Sequence, residues 1–157
     1  MKKIKKKIAV LIAIFCIVGS AFVIYQSVFV DENIPRGYTD YAEHYDPNGF
    51  MDWSHYCWYQ YKDAGSVRLP SDYQVATEKD VAKVKDYFEN TRDWMQTCDR
   101  LEEYDFDSAC INEGDSFLLF TSEGEARGSG VYGKYDNYTV YFFDKETARL
   151  YYINNNN

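Results

Sequence analysis

The segment that most restricts this chain is Ile8 to Val30, 23 consecutive residues without a charge, preceded by Lys2, Lys3, Lys5, Lys6 and Lys7. Only Gly19, Ser20, Gln26 and Ser27 interrupt its apolar character, so as a helix it has no polar face to turn toward water. At about 1.5 Å per residue it reaches roughly 34 Å, just over the ~30 Å hydrocarbon core of a bilayer. Two readings compete. One is an uncleaved membrane anchor over residues 1–30; the other is a cleaved signal with Val18-Gly19-Ser20 as its small-residue site. Cleavage there leaves Ala21-Phe22-Val23-Ile24-Tyr25 and Val28-Phe29-Val30 on a soluble protein, which favours the anchor. Lysines stay on the cytoplasmic side in either case. The expectation is a single-pass transmembrane helix with a cytoplasmic N-terminus and an extracytoplasmic body, secreted if the signal is cleaved. Cys16 carries no lipidation signal, because the bulky Phe15 stands where a small residue is needed.

The lysine cluster also distorts the whole-chain charge. No acid precedes Asp31, so the body keeps 12 basic against 25 acidic residues, a formal charge of −13. A body of that charge repels phosphate backbones, which excludes general nucleic-acid binding. Aromatic residues at 18% exclude disorder for most of it.

Residues 31–37, with Pro35 and Gly37, read as a juxtamembrane linker, and 38–157 as one extracytoplasmic α+β domain. Tyr38 to Tyr61 holds nine aromatics in 24 residues, interrupted by the turn-favouring Asp46-Pro47-Asn48-Gly49. Trp53 to Tyr61 fits a strand or a helix, and its aromatic content favours the strand. Thr77-Glu78-Lys79-Asp80 supplies an N-cap hydroxyl and first-turn acids, and Val81, Val84, Phe88 and Met95 follow at helical spacing, predicting an amphipathic helix over Glu78 to Gln96. Ser116 to Thr121, Asn137 to Phe143 and Ala148 to Ile153 read as strands, the last two joined by Asp144-Lys145-Glu146-Thr147. The glycine-rich stretch 124–133 reads as a mobile loop and Asn154 to Asn157 as a frayed end. The expected fold is one helix on an antiparallel sheet of three or four strands, in the order strand, helix, strand, strand, strand. The last two strands are apolar on both faces, so the Tyr38 to Tyr61 segment or a partner chain is expected to cover the face away from the helix.

Export places Cys57, Cys98 and Cys110 where disulfides persist. A bridge between Cys98 and Cys110 is favoured, closing the acidic connection Asp99 to Ala109 for about 3 kcal/mol of chain-entropy stabilisation, while pairings through Cys57, and no bridge at all, remain open. His44 and His55 lack metal-ligand spacing. A calcium loop starting at Asp105 fails, with Ala109 at its fifth position and Cys110 where glycine belongs. Cys57 and His55 lack a third orienting group for nucleophilic catalysis. No cofactor and no catalytic residue is indicated. The aromatic segment remains. Tyr56 and Trp58, on the strand side opposite Cys57, are either a flat platform for a ligand or the second layer of the core. The functional expectation is a noncatalytic, membrane-tethered module binding an envelope polymer, a peptide or a partner protein. The alternatives are a small carboxylate-dependent hydrolase and a structural or inhibitory subunit of a membrane complex.

Overall fold

The computed structural model describes residues 31–47 and 53–156, and residues 35–157 form one compact unit. The expected anchor, Cys16 and most of the expected turn after Asp46 lie outside the described residues. Among the described residues no helix is long and apolar enough to cross a membrane.

The unit is α+β, with one main helix and an antiparallel sheet. The helix, α1, runs Glu78–Thr97, within a residue of the expected end. At its start the Asp80 carboxylate accepts from the Thr77 N–H at 3.0 Å and the Thr77 hydroxyl at 2.6 Å. At its end Asp99 adopts φ +58°, and N–H groups of Asp99 and Arg100 donate to the carbonyls of Gln96 and Met95. That left-handed close usually falls to glycine, and aspartate is among the few side chains that tolerate it. The buried stripe is Val84, Tyr87, Phe88, Thr91 and Met95.

The sheet is larger than expected. Its strands are β1 (Asp40–Pro47), β2 (Trp53–Gln60), β3 (Gln74–Val75), β4 (Ser116–Thr121), β7 (Asn137–Asp144) and β8 (Arg149–Asn156), in the spatial order β1-β2-β8-β7-β4-β3. The glycine-rich stretch carries a separate two-stranded hairpin, β5 (Ala126–Arg127) and β6 (Gly130–Val131), closed by ladder bonds where a loop was expected.

Register divides the sheet into two faces. Tyr56, Ile153, Val140 and Leu119 form one row across it, and Trp58, Tyr151, Phe142 and Phe117 the next. Both rows pack in the core that also contains the α1 stripe, together with Tyr104 and Phe106. Phe106 stacks on Phe88 at 4.0 Å between ring centroids and meets Tyr151 edge-on at 4.6 Å. The acidic connection after α1 thus folds inward on two aromatic residues instead of remaining a solvated loop.

The opposite face carries Cys57, Leu118, Tyr141, Phe143 and Leu150, all buried. Its cover differs from the expectation: the Tyr38 to Tyr61 segment mostly extends the sheet as β1 and β2 instead of lying across it. Tyr61 packs on Phe143 at 6.0 Å, and its hydroxyl donates to the Pro35 carbonyl at 2.6 Å, tying the start of the unit down. Tyr73 lies beside Tyr141 at 6.4 Å.

Asn154 to Asn156 are also ordered where a frayed end was expected, and Asn157 lies outside the described residues. Asn154 to Asn156 pair with both β2 and β7, and the buried Asn155 accepts from the Ser54 hydroxyl and donates to the Tyr135 carbonyl. An amide with both partners satisfied is a stable strand residue despite low β propensity.

Candidate functional site

Tyr56 and Trp58 share a face opposite Cys57, as the alternation requires, and that face looks toward the helix layer. Tyr56 is 1% exposed. Its ring lies 4.7 Å from Tyr104 and 6.0 Å from the imidazole of His44, and its hydroxyl donates to the Asp105 carboxylate. Burial first, and then Asp105, push the Tyr56 phenol far above its ordinary range. Tyr56 is therefore a core residue, and no exposed Tyr56–Trp58 strip exists on this face. Trp58 is half-buried, with the Arg149 guanidinium 4.4 Å above its ring.

Arg149 donates to Gln60 Oε1 at 2.9 Å and stands 3.9 Å from Asp105. Beside it, His44 Nδ1 lies 3.1 Å from Glu103 Oε2, and Arg100 donates to both oxygens of Glu103. The Arg100 hydrogen bonds, with His44 adding to them, hold the Glu103 carboxyl below its usual range. These groups tie the connection after α1 to β1, β2 and β8. Asp105 and Glu103 are occupied by that work.

The thiols are equally constrained. The expected Cys98–Cys110 bridge is not formed: no disulfide joins Cys57, Cys98 or Cys110 in this structure, Cys57 being buried and the other two half-buried. Burial, reinforced by nearby carboxylates, pushes Cys57 and Cys110 each up to about 12, so neither supplies a thiolate near neutral pH. His55 stands 3.7 Å from Glu43, and burial lowers its pKa against the pull of that carboxylate. Among the described residues no group of three or more His, Cys, Asp or Glu side chains is placed to hold a metal ion.

Two surface features stand out among the described residues. A pocket of about 340 Å³ opens between α1 and residues 104–108, with Phe88, Tyr104 and Phe106 as its apolar lining and Glu89, Arg92 and Asp107 among its charges. The other is a cluster of tyrosines on the Cys57 face, at the outer end of the sheet. Tyr38 is 42% and Tyr41 55% exposed, and Tyr59 is half-buried between them. Tyr38 meets Tyr59 edge-on at 5.1 Å and Tyr41 at 5.7 Å, while Tyr41 stacks on Tyr59 at 6.2 Å. The three rings brace one another, so their exposed area is presented with little side-chain entropy left to lose. Glu43, exposed, follows Tyr41 on the same face.

Tyr38, Tyr41 and Tyr59 are absent from the sequence-based candidates. The signal that finds them is hairpin register: pairing Tyr41 with Tyr59 requires β1 to run through Asp46 and Pro47, the residues read as a turn. No family model, curated protein or solved structure matches this chain.

Proposed function

We propose that this protein is a noncatalytic, membrane-tethered module whose extracytoplasmic body binds a peptide, a partner protein or an envelope polymer through the tyrosine surface beside β1. The observation that carries this reading is the braced cluster of Tyr38, Tyr41 and Tyr59 at the outer end of the sheet. Large amphipathic rings exposed as a group offer contact area and a polar tip together, the composition typical of binding surfaces. Membrane tethering rests on the lysine cluster followed by the uncharged Ile8 to Val30 run.

The test is retention of the full chain on isolated cell-envelope material. A Tyr38→Ala/Tyr41→Ala double variant is expected to lose retention more than tenfold while keeping its melting temperature within a few degrees. Equal retention of parent and variant removes the tyrosine surface from the binding account.

A further inference from the structure

The tyrosine cluster adjoins a sheet edge whose backbone is only partly blocked. Tyr61 N–H donates to the Ala148 carbonyl at 2.9 Å, in register with the β2–β8 ladder. That makes Tyr61 and Ala148 a hydrogen-bonded pair, so by alternation Tyr59, Cys57 and His55 direct their backbone groups to β8, and Trp58 and Tyr56 direct theirs to β1. Their partners on β1 are Ala42 and His44. The intervening residues, Tyr41, Glu43 and Tyr45, consequently present N–H and C=O groups away from the sheet. Among the described residues no strand pairs with that side of β1.

The two ends of this edge are closed. The Tyr41 N–H donates to the Asp40 carboxylate at 2.9 Å, and Thr39 N–H is drawn inward to the Gln60 carbonyl, a bulge that ends the regular ladder. At the other end Pro47 has no N–H to offer. Among the described residues, what stays open is a short window: the N–H groups of Glu43 and Tyr45 and the carbonyls of Tyr41, Glu43 and Tyr45.

Charge decides what can enter it. β1 holds Asp40, Glu43 and Asp46 with no Lys or Arg, and the body carries −13. Pairing with the same edge of a second copy brings three acids on each side together, which opposes self-association. A basic strand meets the opposite situation, with the exposed Glu43, the face of Tyr41 turned away from Tyr59 and the exposed part of Tyr38 within reach of cationic side chains.

We infer that the β1 edge takes up a basic, extended peptide segment as a seventh strand of the sheet, through the Glu43–Tyr45 window. This rests on the reading of the tyrosine surface as a binding site and names the chemistry of its ligand. Backbone hydrogen bonds supply the pairing and the acidic edge supplies the selection.

The test uses the full chain in detergent and fluorescently labelled eight-residue peptides alternating arginine with valine, followed by anisotropy. Saturable binding is expected for the arginine peptide, with at least a tenfold loss for the glutamate–valine counterpart and for the arginine peptide N-methylated at alternate backbone positions. Glu43→Lys, checked by its melting curve, should weaken the arginine peptide by tenfold or more. Equal binding of the N-methylated peptide reduces the interaction to nonspecific charge attraction and overturns strand addition, as does equal binding of the glutamate peptide. If no peptide binds while envelope retention still depends on Tyr38 and Tyr41, the inference fails and the tyrosine-surface reading stands.

Discussion

Replacing Tyr56 by alanine is expected to cost about 3 to 5 kcal/mol, the range for deleting a large buried ring together with the cavity it leaves. The structure sets that figure by burial: the ring is 1% exposed and is held between Tyr104 and His44. The hydroxyl adds little beyond it. Its partner Asp105 is half-exposed and rehydrates when the bond is lost, so Tyr56→Phe should cost only about 1 kcal/mol. On the same reasoning Trp58→Ala, at a half-buried site beneath Arg149, should cost about 2 kcal/mol, and Tyr41→Ala, mostly exposed, about 0.5 kcal/mol or less. Urea unfolding of the four variants measures this order directly, provided that their m-values agree. A larger loss for Tyr41→Ala than for Tyr56→Ala means that β2 presents the opposite face to the helix, and the register assigned here is refuted.

Asn155→Ala should destabilise by about 2 kcal/mol, because it leaves the buried Ser54 hydroxyl and the Tyr135 carbonyl without partners; a melting temperature equal to the parent's would show that the end of β8 contributes nothing to the fold. Glu103 gives a pH dependence. Its folded pKa is depressed, so its contribution is fully present above the unfolded value of about 4.5 and is lost as pH falls through the folded one. Glu103→Gln should therefore flatten the acid limb of the stability profile below about pH 5 and leave its shape at neutral pH unchanged, whereas parallel acid limbs contradict the Arg100–Glu103–His44 assembly.

The helix was legible because its signals are local and agree with one another: cap, first-turn acids and apolar spacing lie within Thr77 to Met95. The β7–β8 hairpin was legible for the same reason, with two apolar runs around one polar loop. β1 was not. Asp46 and Pro47 favour turns locally, yet they extend a strand whose partner lies across residues 48–52, and pairing energy outweighs local preference at a sheet edge, where proline costs no ladder bond. Placing the turn five residues off in total register changes which residues sit opposite one another, and with it the identity of the exposed rings. The alternation that paired Tyr56 with Trp58 was correct, but alternation alone does not say which side faces the helix. Asn154 to Asn156 are ordered by long-range partners that no local pattern announces.

Amide hydrogen exchange across β1, with and without cell-envelope material, tests the central claim most directly. In the free protein the amides of Glu43 and Tyr45 should exchange rapidly and those of Ala42 and His44 slowly, since only the latter pair face β2. On binding, protection should appear at Glu43 and Tyr45. Protection that instead gathers around Phe88, Tyr104 and Phe106, with β1 unchanged, would place the binding surface at the pocket and contradict the account.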